Sequence, residues 1–191
     1  LSILDDYCVH QSPDPIRQPA TSDENAYDNY FANGFHINGD YYIAMSFGRL
    51  ANRGVMYGAV TVQTGGVHHS FFASGDDPDD PTETKLAELE LKIEEPMRTM
   101  TISLDDNDSG MSCFLRWHAR SAPLEEKRST LRSKGRLIID LTRWTQFGCW
   151  EGWFEIDGVR TEVLAEQCLG VKDRSWGIRT IGNSSSDDGS Q

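Results

Sequence analysis

Four short stretches, Asn38-Gly39-Asp40, Gly65-Gly66, Asn107 to Gly110 and Asp157-Gly158, each separate two runs rich in β-branched and aromatic residues. Tight hairpin loops need backbone at positive φ, which Asn-Gly, Gly-Gly and Asp-Gly pairs supply, so the chain must double back as antiparallel strands. The strand runs cover residues 35–50, 55–64, 67–73, 88–94, 97–104, 111–120, 137–141, 149–156 and 161–168. Leu86, Leu89 and Ile93 also fit one face of a helix over residues 84–95. From Glu88, however, Glu-Leu-Glu-Leu-Lys-Ile-Glu alternates strictly and Pro96 closes it, which favours a strand with one side in the core. Residues 124–133 are charged and short, and read as a surface crossover. Many short antiparallel strands predict an all-β barrel or a strongly twisted β-sandwich, since closing a sheet removes exposed edges. A barrel of about eight strands can hold one small ligand in its lumen.

The length of 191 residues suits one large all-β domain or one half of a two-lobed protein. Residues 1–26, carrying Pro13, Pro15 and Pro19, read as an irregular arm or lid; residues 27–181 are the β domain; residues 182–191 are a polar tail. The start at Leu1 and the polar end suggest an excised piece. Asp and Glu number 30 against 18 Lys and Arg, and the net charge of -12 repels nucleic acid and anionic membrane surfaces. No apolar run approaches the ~20 residues of a membrane helix, and the first residues lack a basic leader, so the expected location is the cytoplasm.

Several polar motifs have plain explanations. Cys8, Cys113, Cys149 and Cys168 show no metal-ligand spacing and read as reduced, structural thiols. The stretch from Asp105 to Gly110 begins like a calcium loop but carries Arg116 where the bidentate acid belongs, so no metal is expected there. Asp76 to Pro81 reads as an acidic surface loop. His68 and His69 are neighbours in a strand and point to opposite faces, one of them toward the lumen, while His36 and His118 read as structural. With no nucleophile elbow, P-loop or dinucleotide fingerprint, the chain is expected to need no cofactor. Asn183-Ser184-Ser185 is a glycosylation sequon only in a secreted protein.

The candidate site lies late in the chain, in Gly170 to Arg179 (GVKDRSWGIR) and the strand before it. Alternation puts Trp150 with Phe154 on one face and Trp153 with Glu151 and Glu155 on the other, either as core and surface or as walls of an apolar cavity. Asp173 is the candidate acid, because burial in apolar surroundings raises a carboxyl pKa toward neutrality. Trp176, Arg174, Trp153, Trp150 and Arg179 are the candidate ligand-binding residues. In a regular strand Asp173 shares a face with Val171 and Ser175 and opposes Lys172, Arg174 and Trp176. Asp173 and Trp176 meet in one cavity only if a bulge at residues 175–177 re-aims one of them. The alternative is that Asp173 pairs with Arg179 or Arg136 and ties the barrel end together.

The stretch TQFGCWEGWFEIDG followed by KDRSWG resembles the first lobe of the lipocalin-like superfamily that includes carotenoid 1,2-hydratase, AttH-type and tocopherol cyclase-like proteins. It is most similar to a branch carrying Arg-Asp-Arg-Ser-Trp-Gly-x-Arg, with Lys172 where that branch often has Arg. The likeness runs over residues 27–179 and is specific over the last 35 or so. It implies a lipocalin-like barrel, a second lobe or a homo-oligomer as partner, and an apolar small molecule as ligand. The implied chemistry is that of a cofactor-independent hydratase, cyclase or isomerase that protonates an alkene of an isoprenoid-like or polyketide-like substrate, with Asp173 as acid. A non-catalytic carrier of a lipid-like molecule, or an inactive fragment, is the alternative.

Overall fold

The computed structural model describes residues 1–180; the polar tail and the Asn183 sequon lie outside the described residues. Thirteen antiparallel strands form one sheet: β1 (Ala26–His36), β2 (Tyr41–Leu50), β3 (Val55–Thr64), β4 (Val67–Asp76), β5 (Lys85–Leu86), β6 (Leu89–Glu95), β7 (Thr99–Leu104), β8 (Met111–Ala119), β9 (Leu124–Glu125), β10 (Ser129–Ser133), β11 (Arg136–Ile156), β12 (Val159–Val163) and β13 (Cys168–Ile178). The hydrogen-bonded order is β4-β3-β2-β1-β13-β11-β8-β7-β6-β5, so β13, the last strand of the described residues, joins two meanders. The sheet curls into a nearly closed lipocalin-like barrel. Its free edges meet where Leu86 packs against Gly75, 2.9 Å from where a Cβ on that glycine would stand.

Alternation fills the barrel. Ile43, Met45 and Phe47 on β2, Met56, Val60 and Val62 on β3, Leu89 and Leu91 on β6 and Leu115 and Trp117 on β8 point inward as one buried cluster. Trp117 and Trp150 meet edge to face at 5.3 Å between ring centroids. The Trp150 indole N–H donates to the Asn33 carbonyl at 2.8 Å. A Cβ at Gly34 would stand 2.6 Å from the Trp150 ring, so glycine there makes room for the indole. Truncating either tryptophan to alanine is expected to cost on the order of 3–5 kcal/mol.

Four local expectations are corrected. The predicted strands at 137–141 and 149–156 are parts of one 21-residue strand, β11. Pairing sustains its length: β13 and β12 line one edge, while β10, β9 and β8 line the other. Strand β1 starts nine residues before the predicted Phe35, because the polar Asp28, Asn29 and Asn33 hid a segment that pairs fully with β2 and β13. Asn29 is tolerated because its Oδ1 accepts from Tyr57 at 2.9 Å and Ser46 at 3.3 Å. The segment 124–133 contributes two short strands, and the predicted strand at 161–168 is split by a turn at residues 164–167. Among the described residues all four cysteines are free and Cys8 is exposed.

Residues 1–25 carry a 3-10 turn at Ile3–Asp6, capped by the Ser2 side chain, and otherwise cross the barrel end without strands. Asn52 holds this arm by donating to the carbonyls of Thr21 at 2.7 Å and Asp23 at 2.9 Å.

Candidate functional site

One end of the barrel is hollow. A cavity of about 460 Å³ opens between the start of β1, the end of β2, β6 and the loop after β4, with Tyr30, Phe47, Pro81, Ile93 and Arg174 in its wall. A second recess, of about 880 Å³, lies under the arm against Trp176, Thr142 and Ile178 and shares Asp28, Arg49 and Pro81 with the first. Below this mouth the lumen is packed core.

Arginine–aspartate pairs ring the opening. Arg174 donates to Asp28 at 2.5 Å and to the Asn29 carbonyl at 2.8 Å, and its guanidinium lies 3.7 Å over the Tyr30 ring. Arg49 makes a two-pronged pair with Asp77 at 2.5 and 2.8 Å. Arg128 holds Asp140 in the same manner at 2.6 and 2.7 Å, and Arg17 of the arm pairs with Asp79. The acidic loop expected to be mere surface thus supplies a wall of the mouth, and Asp77 is largely buried against Arg49. Planar guanidinium–carboxylate forks fix orientation as well as attraction, so they stiffen a rim built partly from loops.

Strand β13 carries the candidate residues, and its alternation decides their surroundings. Cys168, Gly170, Lys172, Arg174 and Trp176 face the lumen, and Asp173 faces out between Phe31 and Thr145. Register with β1 and β11 runs unbroken through Gly177, so no bulge re-aims either side chain. Gly177 has φ 130°, and a Cβ there would run into the Asp140 carbonyl; the glycine serves close strand approach. Asp173 is half-buried, and burial raises its pKa; Arg143 counteracts and Glu126 adds to the rise. It makes no hydrogen bond or ion pair with another described residue, and neither Arg179 nor Arg136 clasps it.

The six sequence-predicted residues are therefore not gathered in one place. Arg174 and Trp176 line the two recesses of the mouth. Trp150 is deep core at 1% exposure. Trp153 lies on the outer wall with Arg160 stacked 3.7 Å over its ring. Arg179 lies 4.4 Å over the Tyr27 ring just past the end of β13.

Lys172 is the residue the sequence reading passed over. It is 3% exposed, one inward position deeper than Arg174, with its ammonium 5.5 Å from the Trp117 ring centroid and 5.3 Å from that of Trp144. Burial, with Arg174 nearby, lowers its pKa to about 8. The available signal was its place in a strand whose same-face neighbours toward the barrel floor, Cys168 and Gly170, are small and apolar. The His36 Nε2 pairs with Gln167 at 3.2 Å while its Nδ1 lies 3.0 Å from Asp40 without a hydrogen bond, and His118 pairs with Glu151 at 2.8 Å. Among the described residues no cluster of His, Cys, Asp and Glu could hold a metal ion, and no helix is long and apolar enough to cross a membrane.

Solved structures share this architecture. An AttH protein from Nitrosomonas europaea superposes with a TM-score of 0.60 at 9% identity, over 82% of this chain and 52% of its own. Kievitone hydratase from Nectria haematococca gives 0.58 at 13% identity over 80% and 48%, and CghA crystallised with Sch210972 gives 0.52 at 15% over 80% and 46%. The chain thus spans about half the length of the structures it matches, and at these identities the likeness establishes the fold alone. No curated protein matches it by sequence. A family model covers all of residues 1–191, and by that match the chain belongs to a family of unknown function, DUF8625.

Proposed function

We propose that this chain binds an apolar small molecule at the mouth of its barrel. The observation that carries this reading is the cavity of about 460 Å³, with Phe47, Tyr30, Pro81 and Ile93 in its wall and Asp28, Arg49, Glu90, Lys92 and Arg174 among its charged residues. Small-molecule sites are concave and mostly apolar, with a few placed polar groups and a volume of roughly 300–1,000 Å³. Two similar structures, one named a hydratase and one holding a small molecule, support the choice of ligand class. The test is to fill the cavity. Ile93→Trp should weaken binding of the neutral dye Nile red about tenfold or more, with the unfolding midpoint held within a few degrees. Unchanged dye binding would overturn the assignment.

A second reading makes the chain a hydratase-, cyclase- or isomerase-type enzyme with Asp173 as proton donor. It is favoured by that carboxyl's raised pKa and by its freedom from a direct partner. The alkene, isoprenoid-like or polyketide-like, would then lie on the outer wall beside Phe31 and Phe147. Asp173→Asn should abolish turnover while leaving dye binding in the mouth intact; retained turnover would remove this mechanism.

A further inference from the structure

Just below the mouth, the packed lumen carries a charge without a counter-charge. Arg174, Arg49, Arg128 and Arg17 each have an aspartate partner. Lys172, further inside, has no hydrogen bond or ion pair with any described residue; its only neighbours of note are the Trp117 and Trp144 rings. This holds in a chain where Asp and Glu outnumber Lys and Arg 30 to 18. A buried ammonium without an anion is costly, and an apolar side chain of similar size would pack there without that cost. Ring faces offset only part of the lost hydration.

The same stretch of lumen holds another buried polar group without a partner. The Trp117 indole N–H is buried and has no hydrogen-bond partner. Gln146, opposite Lys172 in the register, donates to the carbonyls of Met97 at 2.8 Å and Ser121 at 2.9 Å and so is pinned by its amide nitrogen. Lys172 is also flanked on the other side by Ala32, whose small side chain crowds it least. One inward position above it, Arg174 lines the cavity together with Tyr30 and Phe47. An unpaired ammonium one inward position below the cavity's Arg174 is complementary to a negatively charged oxygen attached to an apolar body.

We propose that Lys172 is the anion-binding residue of the barrel, and that the ligand is an amphipathic organic carboxylate whose charged end reaches the Lys172 ammonium while its apolar part fills the mouth. This deepens the binding reading above and rests on it. A buried water on the Lys172 ammonium is the competing occupant, and it gives no reason to distinguish a carboxylate from an alcohol.

The experiment displaces Nile red from the full chain with a matched pair, dodecanoate and dodecanol, in wild type, Lys172→Met and Lys172→Arg, at neutral pH. Wild type should prefer the carboxylate by about tenfold or more, the size of one charge-assisted contact. Lys172→Met should bring the two to parity without weakening the alcohol, and Lys172→Arg should keep part of the preference. Equal binding of both by wild type, or an undiminished preference in Lys172→Met, would overturn the assignment of Lys172 and leave the mouth as a binding site. If neither ligand displaces the dye, or the dye itself does not bind, both proposals fall.

Discussion

Lys172 and Asp173 are adjacent in sequence and sit in opposite environments. One peptide step turns the lysine into the lumen between two indoles and the aspartate onto the outer wall among arginines and a glutamate. Burial pushes both toward their neutral forms, the amine down to about 8 and the carboxyl up from its ordinary value. The lysine has no charged partner, whereas Arg143, Arg179 and Arg174 temper the aspartate's shift. The lesson is that the face of the strand, more than the short motif around it, assigns chemistry to a residue. In Asp-Arg-Ser-Trp-Gly the conspicuous acid points away from the hollow, and the lysine just before it points in.

Stability should show the contrast most strongly. Lowering a lysine pKa from 10.5 to about 8 stores roughly 3 kcal/mol of unfavourable free energy wherever the group is protonated in both states. Lys172→Met should therefore stabilise the protein at neutral pH and raise its unfolding midpoint by about 5–10 °C, read by thermal denaturation. A fall in the midpoint would mean that the ammonium has a stabilising partner.

The pH dependence separates the two groups by sign. The folded pKa of Lys172 lies below its unfolded value, so between about 8 and 10.5 the unfolded chain holds the extra proton, and stability rises with pH across that window. Tyr30, Tyr41 and Tyr57 have raised pKa values and contribute the opposite slope in alkali, so the quantity to measure is wild type minus Lys172→Met in urea titrations. For Asp173 the folded pKa is the raised one, and its effect is a loss of stability as pH climbs through the acid range. Wild type minus Asp173→Asn should slope only there, with a smaller amplitude because the group is half exposed to water. A Lys172 difference confined to acid, or an Asp173 difference in alkali, would reverse the assigned environments.

The smallest effect is expected on the outer wall. Trp153→Ala removes a half-buried stack with Arg160 on the outer wall and should cost less than Trp150→Ala in the core, about 1 kcal/mol against several. A comparable loss at both positions would show that Trp153 has a buried role.

Much of the architecture was legible because hairpin chemistry and alternation are local. The turns at Gly39, Gly65, Gly66, Gly110 and Gly158 all carry positive φ, and Leu89 and Leu91 are buried where Glu-Leu-Glu-Leu-Lys-Ile-Glu placed them. What escaped notice was sustained by partners distant in sequence. Polar β1 is a strand because β2 and β13 flank it, and β11 crosses residues 142–148 because both of its edges are occupied. The pairing of Asp77 with Arg49 joins segments 28 residues apart, which no local pattern announces.

By itself, then, the sequence determined that this chain is a strand-rich antiparallel barrel or sandwich and which residues of each strand share a face, since turn propensity and a period of two act over a few residues. Only the tertiary structure decided which face is inside at β13, that the hollow is confined to one end, and that a lysine without an acid lies just below it. Those facts depend on how the curled sheet brings β13 beside β1, β11 and β8, and closure of a sheet is a property of all its strands at once.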